Sequence, residues 1–257
     1  DMGAGIDENA HALSEHDAAF EILAGRDAST RWPSITFGAD DAVLYQPDAA
    51  LIAADRAWRS FADSARSRGA TLEEHRVVKR LRDDSDRVVL TVDDEEIEAG
   101  VCLVTAGAWA KPLLEGAAID LDVWPSRETI VYLRGPALSL PVVEWGTPAA
   151  YALPSIGYGD DVIRAGFHIA GPSTDPDVEG HAEPHAIDAV VEWARKRIAA
   201  VDPEPVAVET CIYTNTDDEH FVLERHGSIV VGSPCSGHGF KFAPLIGERL
   251  ADLALTQ

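Results

Sequence analysis

Cysteine is scarce in this sequence, and long hydrophobic runs are absent. The 257 residues include three cysteines, Cys102, Cys211 and Cys235, and no C-x-x-C pair. So few cysteines without that spacing argue against a disulfide framework and a zinc knuckle, and they favour a reducing, cytoplasmic compartment. No run approaches the roughly 18 uninterrupted apolar residues of a membrane helix, and no basic-then-apolar signal pattern opens the chain. We therefore expect no association with a membrane.

Positive charge is also in short supply. The chain has 21 basic residues, of which four are lysine, against 44 acidic residues, and its net charge is −23. Such a surface repels nucleic acid and anionic lipid, which argues against both as partners. Two interpretations of the acidity stay open. One is an ordinary acidic enzyme, and the other is a halophilic adaptation in which dense carboxylates keep the surface hydrated at high salt.

The first 70 residues contain two helix patterns. The stretch "ENAHALSEHDAAFEILAGRDASTRWP" predicts a helix, a short strand and a turn that ends at Pro33. The stretch "DRAWRSFADSARSRGA" predicts an amphipathic helix that ends at Gly69. The apolar face of this second helix consists of Trp58, Phe61, Ala62 and Ala65.

Strand patterns dominate the middle of the chain. The stretches "TLEEHRVVKRLR", "DRVVLTVDD" and "EEIEAGVCLVTAG" are separated by turns rich in Asp and Ser, which predicts a β-meander. The apolar run "VCLVTAGAW" predicts a buried parallel strand. Its small-residue turn is a common site for a nucleotide cofactor, although an ordinary strand exit has the same pattern. From Val123 to Ala170, longer alternating strands such as "RETIVYLRG" and "VIRAGFHIAG" indicate antiparallel sheet. "HAIDAVVEWARKRIAA" then predicts a helix with an apolar stripe of Ile187, Val190, Val191, Ala194 and Ile198.

The C-terminal stretch reads as a strand, a glycine-rich turn and a helix. "GSIVVGS" predicts the strand, and "GFKFAPLIGERLADLAL" predicts a helix in which Pro244 suits the first turn. The predicted apolar face of this helix consists of Phe242, Leu245, Ile246, Leu250 and Leu253. The amides from Gly237 to Lys241 would point out of the helix N-terminus, whose partial positive charge the Lys241 ammonium reinforces. The sequence therefore predicts a receptor for an anion.

Several of these segments together resemble a known family. "TCIYTNTDDEHF" followed by "IVVGSPCSGHGFKFAPLIGERLADLAL" is similar to the C-terminal signature of the monomeric sarcosine oxidase and N-methyltryptophan oxidase family of flavoenzymes. The pieces "RWPSI", "LYQPDAALI", "RGATLEEHRVVKRL", "VTAGAWAKPLL", "YALPSIG" and "AGFHIAGPSTDPD" resemble the same family in the same order. The resemblance thus spans nearly the whole chain, and its C-terminal block is the most specific part.

The resemblance implies a fold and an activity. The implied fold is α/β with mixed α+β character, in which a remnant of a Rossmann-like FAD-binding domain is interleaved with an antiparallel-sheet substrate domain. The FAD-binding domain would comprise residues 51–116 and 211–257, and the substrate domain residues 1–50 and 117–210. The implied activity is oxidation of the C–N bond of a secondary or N-methylated amino acid by hydride transfer to flavin, with molecular oxygen or another electron acceptor completing the reaction.

The resemblance also assigns site residues. Cys211 would form a thioether to the flavin, Tyr213 would line the substrate site, and Lys241 would hold the substrate carboxylate. The other implied assignments are Tyr151 and His168 in the active site, and Val77, Ala106, Gly107, Trp109, Gly237, His238, Gly239, Phe240 and Lys241 against the cofactor. Turn amides suit negative charge that develops on a reduced flavin. Structural interpretations stay open for three of these residues: a buried thiol for Cys211, a surface lysine for Lys241 and a turn residue for His238.

The chain departs from the family pattern at two points. "DMGAGIDENA" cannot replace the strand, G-x-G-x-x-G turn and helix that cradle the FAD pyrophosphate, so we expect either a fragment or a partner chain that supplies this segment. Arg164 stands where the family has its oxygen-activating lysine, and arginine is broader and effectively always protonated. His181 and His185 are four residues apart, but Pro184 makes the segment loop-like, so we expect no metal site.

Two alternatives to this function remain. One is a relative of glycine oxidase or D-amino-acid oxidase that binds FAD without the Cys211 thioether. The other is a non-catalytic subunit or fragment that needs a partner chain to bind FAD. Flavin that stays on the denatured polypeptide, flavin that is released, and no flavin at all would distinguish the three.

Overall fold

The protein combines α-helices with mostly antiparallel β-sheet. A computed structural model describes residues 5–256. Its helices are α1 (Ile6–Glu15), α2 (Gly25–Arg31), α3 (Ala54–Ser67), α4 (Ala110–Glu115), α5 (Pro184–Arg197) and α6 (Ala243–Leu255). Its strands are β1 (Glu21–Ala24), β2 (Ala42–Tyr45), β3 (Val78–Asp83), β4 (Val88–Val92), β5 (Glu95–Ala99), β6 (Cys102–Val104), β7 (Trp124–Arg134), β8 (Val142–Glu144), β9 (Ala149–Pro154), β10 (Val162–His168), β11 (Pro205–Asn215), β12 (Val222–His226) and β13 (Ile229–Ser233). This mixture confirms the predicted fold class.

The chain divides into two compact units. The first unit consists of the residues up to Leu51 together with residues 127–172 and 180–211. The second unit consists of residues 52–126 and 173–179 and the chain from Ile212 onward. Residues 117–126 and 173–179, which the resemblance places in the substrate domain, belong to the second unit. The roles of the two predicted domains stay predictions.

A five-stranded sheet forms the core of the first unit, in the order β11-β7-β10-β9-β8. Antiparallel pairing sets Ile163 opposite Leu133 and Ala165 opposite Val131, so these four side chains share one face. The residues of the α5 segment that pack against this face include Val190, Ala194 and Ile198. The predicted antiparallel sheet and the apolar stripe of α5 are thereby confirmed. A two-stranded ribbon, β1-β2, completes the strands of this unit.

Two three-stranded sheets form the second unit. In the first of them, β12-β13-β6, the middle strand pairs antiparallel with β12 and parallel with β6, which sets Ile229 beside Cys102 and Val231 beside Val104. The other sheet is the predicted meander, β3-β4-β5. The C-terminal helix α6 buries Ile246 and Leu250 against Val230 of β13. The parallel pairing of β6 and the strand-turn-helix at the C-terminus are therefore confirmed. The predicted burial of β6 is wrong, because Leu103 at its centre is 43% exposed.

Local predictions fail where tertiary contacts decide the backbone. Residues 25–31 form α2 instead of a turn, in a place where the Gly25 amide donates to the Asp41 carbonyl at 2.7 Å. A side chain at residue 25 would collide with the Gly38 carbonyl, so glycine is required there. Residues 71–77 were predicted to belong to a strand, but β3 begins only at Val78.

The start of the C-terminal helix also differs from its prediction. A short 3-10 turn, Phe240–Phe242, precedes α6, so the amides from Gly237 to Lys241 lie before the α-helix instead of forming its first turn. Leu245, placed on the apolar face by the sequence, is 50% exposed. Adjacent helix positions are about 100° apart. Since Ile246 faces the sheet, Leu245 points away from it.

Helix α3 is amphipathic as predicted, but its apolar face is not covered. Within residues 5–256 the helix buries none of its side chains. Trp58 is 50% exposed and Phe61 is 47% exposed.

Among residues 5–256, no helix is long and apolar enough to cross a bilayer.

Candidate functional site

Several candidate residues lie on one face of the five-stranded sheet of the first unit. Along β10, Arg164, Gly166 and His168 alternate with Ile163 and Ala165, and therefore point to the face opposite α5. Register sets Tyr132 opposite Arg164 and Tyr151 opposite Gly166, on this same face. Cys211 of β11 packs against Ile130 and Tyr132 there. We call this surface, with Tyr132, Tyr151, Arg164, His168 and Cys211, the polar face.

Tyr151 and His168 are both buried in the polar face. Their exposed fractions are 8% and 6%. The Tyr151 hydroxyl lies over Gly166, where an added Cβ would be only 2.6 Å from the hydroxyl oxygen. The lack of a side chain at Gly166 therefore makes room for the Tyr151 ring.

Arg164 contributes a cation to the polar face. Its Nε atom is buried, and within residues 5–256 this atom has no hydrogen-bond partner. An unsatisfied buried donor is costly, so such a group is a candidate for binding an acceptor. This matches the role that the resemblance gives to Arg164, and that role stays a prediction.

Three residues beside Arg164 were missed by the sequence reasoning. The hydroxyls of Tyr132 and Tyr158 donate to the two oxygens of Glu209 at 2.9 and 2.7 Å, and the two rings lie 4.3 Å apart. Burial and the hydrogen bond to Glu209 raise the pKa of Tyr132 to about 12. The alternation in "RETIVYLRG" is a signal that could have placed Tyr132 on the same strand face as Ile130. Nothing in the sequence linked this strand to Glu209.

Cys211 carries a half-buried thiol on the polar face. Burial raises its pKa, and the nearby guanidinium of Arg164 acts in the opposite direction. A thiol with a raised pKa is mostly protonated at neutral pH and is less reactive than a thiolate. This environment suits a buried thiol that packs in the protein. To form a thioether with a flavin, the thiol would first have to lose its proton.

The second unit contains the predicted C-terminal turn. Two hydrogen bonds of Ser236 hold this turn in place. The Ser236 amide donates to the Thr214 carbonyl at 2.8 Å, and the Ser236 hydroxyl accepts from the Thr216 amide at 3.2 Å. Gly237 has a φ of 72°, and an added side chain would strike the Tyr213 ring. The turn is thus packed directly against Tyr213, which the resemblance places in the substrate site.

Several backbone amides in this turn are free to bind a ligand. Within residues 5–256, the amides of Gly237, Gly239, Phe240 and Lys241 donate to no protein acceptor. His238 lies between them, but its ring stacks on Phe221 with centroids 5.2 Å apart, and its Nε2 is 3.2 Å from the Glu219 carbonyl. These contacts hold the imidazole in the protein. They fit the interpretation of His238 as a turn residue.

Lys241 follows the free amides in the 3-10 turn. Its ammonium lies 5.4 Å from the centroid of the Phe242 ring, and it makes no ion pair with a carboxylate of the described residues. Partial loss of hydration lowers the pKa of Lys241. An unpaired ammonium beside free amides is able to bind an anion.

The turn after β6 lies against the same region of the second unit. Gly107 has a φ of 55°, and an added Cβ would be 3.8 Å from the Thr214 hydroxyl oxygen. Ala106 precedes this glycine and is half-buried. The indole of Trp109 is 46% exposed and donates to Asp177 at 2.7 Å. Carboxyl ends of adjacent parallel strands commonly bind nucleotides.

Val77 lies outside any strand, immediately before β3. It is 60% exposed, and its amide donates to Asp93 at 3.1 Å. The contact between this residue and adenine, which the resemblance implies, stays a prediction.

Comparison with known proteins gives consistent matches over nearly the whole chain. Monomeric sarcosine oxidase of Bacillus sp. (strain B-0618) is 27% identical over 98% of this chain and 67% of its own length. Probable sarcosine oxidase of Arabidopsis thaliana is 33% identical over 80% of this chain and 54% of its own length. The chain therefore spans between about half and two thirds of these relatives.

The structure is also similar to solved oxidases. NikD, an amino acid oxidase essential for nikkomycin biosynthesis, superimposes with a TM-score of 0.84 at 25% identity, over 99% of this chain and 70% of NikD. The sequence profile of one family, FAD dependent oxidoreductase, matches residues 2–253. The chain belongs to the FAD dependent oxidoreductase family.

Proposed function

We propose that the protein is an FAD-dependent oxidoreductase that oxidises the C–N bond of a secondary or N-methylated amino acid in the cytoplasm. One observation carries the proposal: Tyr151, Arg164, His168 and Cys211 share a single sheet face. They come from three strands and from distant parts of the sequence, and the resemblance assigns them to one active site. The matches to sarcosine oxidases support the same substrate class.

The residues of the second unit fit the ring end of FAD. Among the described residues, the free amides of Gly237, Gly239, Phe240 and Lys241 and the unpaired ammonium of Lys241 are suited to the anionic edge of a flavin. Gly107, in the turn after β6, and Gly237, in the C-terminal turn, both have positive φ, so the backbone of each turn can approach a flat ligand closely. A bound flavin would supply the acceptor for the electrons of the C–N bond.

The chain itself would bind and orient the amine. Lys241 would hold the substrate carboxylate by charge, which fixes the position of the reacting carbon. In the first unit, Tyr151 and His168, which the resemblance assigns to the active site, are buried polar groups, and hydrogen bonds gain strength where bulk water is excluded. Arg164 would stabilise negative charge on molecular oxygen or on another electron acceptor.

A second candidate differs in the attachment of the cofactor. The raised pKa of Cys211 favours an inert thiol, which suits a glycine-oxidase-like or D-amino-acid-oxidase-like enzyme with non-covalent FAD. The environment of Cys211 is thus the observation that favours this alternative.

Acid denaturation of the purified protein distinguishes the candidates. We expect flavin absorbance to stay with the wild-type polypeptide and to be fully released from Cys211→Ser, because serine cannot form the thioether. Cys235→Ser is the matched control, since Cys235 is also half-buried and should leave the attachment unchanged. Release from the wild type would support the alternative. If no secondary or N-methylated amino acid reduces the flavin under anaerobic conditions, the assignment as an amine oxidoreductase is contradicted.

We further propose that the second unit binds a dinucleotide-binding segment, a strand, a G-x-G-x-x-G turn and a helix, and that it can take this segment from a separate polypeptide. Within the described residues β6 is an edge strand, so its outer backbone groups can pair with another parallel strand. Parallel sheets are normally covered on both faces, and Leu103 of β6 is 43% exposed. The exposed Trp58 and Phe61 of α3 offer a second apolar surface in this unit.

Titration of FAD into the Cys211→Ser apoprotein, which cannot form the thioether, tests this complementation. The probe is the portion of the Bacillus enzyme that lies outside the match, added as a separate chain. We expect it to tighten FAD binding at least about tenfold, and we expect the Trp58→Asp/Phe61→Asp variant to lose the gain, because charges on the apolar face oppose docking. Arg56→Asp, on the opposite side of α3, should keep it. An unchanged FAD affinity would contradict the proposal.

A further inference from the structure

We propose that Glu128 is a positioning residue that fixes the orientation of His168 by holding the turn directly after it. The inference rests on the proposed function only for the role of His168 in the active site. No motif in the sequence singles out Glu128, which lies near the start of β7.

Glu128 is a buried carboxylate that binds backbone amides. Its side chain is 1% exposed, and its Oε2 atom accepts hydrogen bonds from the amides of Ala170 and Gly171 at 3.0 and 2.9 Å. Hydrogen bonds to an ionised acceptor are roughly twice as strong as neutral ones. The carboxylate therefore determines the path of the chain where it leaves β10.

The same turn contains a strained residue. Ile169, which follows His168, has a φ of 49°, and this left-handed conformation is unfavourable for a β-branched side chain. Such strain persists only where surrounding contacts over-determine the backbone. The two amides bound by Glu128 lie immediately after Ile169, so the carboxylate is placed to maintain the strained conformation.

Neighbouring backbone groups close the turn against β7. The Arg127 amide donates to the Pro172 carbonyl at 3.0 Å. A side chain at Gly171 would collide with the Arg127 carbonyl, so this glycine is required for the close approach. Glu128 and its neighbour Arg127 thus hold residues 170–172 in place. The strained conformation is therefore maintained at Ile169, the residue bonded to His168.

The test follows the His168 imidazole by NMR. In protein labelled at its nine histidines, the His168 resonance is identified by its loss in His168→Gln. We expect Glu128→Ala to shift and broaden this resonance, because Ile169 is then free to relax. Adding Ile169→Gly should restore it, since glycine adopts a positive φ without strain. Flavin reduction by the amine should fall in the single variant on the order of 10- to 100-fold and recover in the double variant.

Asp83 provides a matched control in the other unit. It also accepts two backbone amides, from Ser85 at 3.0 Å and Ser228 at 3.2 Å, beside a residue at positive φ. Asp83→Ala should lower the free energy of unfolding and leave the His168 resonance in place. If Glu128→Ala also lowers the free energy of unfolding and leaves the His168 resonance in place, Glu128 has only a structural role and the inference is overturned.

The role of Glu128 can still be tested if the alanine variant does not fold or if the wild type reduces no flavin. If Glu128→Ala does not fold, Glu128→Gln with and without Ile169→Gly gives the same comparison, because glutamine keeps the shape and loses the charge. If the wild type reduces no flavin with any amine, the proposed function fails. The His168 resonance still decides the role of Glu128, since it requires neither flavin nor turnover.

Discussion

Replacing Lys241 with methionine is expected to lower kcat/KM for an amino-acid substrate by about 10- to 100-fold, because loss of a hydrogen bond to a charged group costs roughly 1.5–3 kcal/mol. Methionine keeps the unbranched stem and removes only the charge. The measurement compares steady-state kinetics on N-methylglycine with kinetics on an N-methylated amine that lacks the carboxylate. Only the carboxylate-bearing substrate should be affected. Lys196→Met, at the exposed end of α5, is the matched control.

The pH dependence of KM provides an independent check on Lys241. Partial loss of hydration lowers the pKa of Lys241, so the ammonium deprotonates at a lower pH than that of a free lysine. Carboxylate binding is then fully present below this lowered pKa and is lost as the pH rises through it. Lys241→Arg should remove the rise in KM, because the guanidinium stays protonated. Equal losses on both substrates, or a KM independent of pH, would contradict carboxylate binding by Lys241.

Gly239→Ala is expected to give the second large effect, a loss of roughly 1–3 kcal/mol in the free energy of unfolding together with weaker flavin binding. Gly239 has a φ of −75°, so alanine meets no conformational penalty there. The added Cβ would collide with the carbonyl oxygen of Pro234, and backbone cannot move aside without shifting the turn. The amides that would bind the flavin shift with it. Denaturant unfolding measures the first effect, and flavin titration of the Cys211→Ser apoprotein with and without Gly239→Ala measures the second.

A second glycine-to-alanine change serves as the control. Gly247 lies within α6, and a Cβ added there meets no atom within 4 Å. Gly247→Ala should raise the free energy of unfolding by about 0.5–1 kcal/mol, because alanine loses less backbone entropy in a helix. It should leave flavin affinity unchanged. If Gly239→Ala lowers stability with unaltered flavin affinity, the turn supports the fold alone and does not bind the cofactor.

Periodicity and composition determined much of the secondary structure. The stripe of α5 and the alternation along β7 and β10 identified helix and strand correctly, because each pattern matches the geometry that buries its apolar residues. The glycine-rich turn between β13 and α6 could also be predicted, since its residue types suit few other conformations. Where local preference was weak, as in α2, the prediction was wrong, because a contact with Asp41 helps to set that backbone.

The candidate site shows the same division between sequence and structure. Family motifs named Tyr151, Arg164, His168 and Cys211 one at a time, but strand pairing placed them on one sheet face. Glu209 accepts hydrogen bonds from two tyrosines, and Glu128 accepts them from the turn after His168. Each of these bonds joins residues more than 40 positions apart in the sequence. Such contacts depend on register and burial, which a linear pattern does not encode. The sequence by itself determined which residue types were available, and only the tertiary structure decided which of them share an environment.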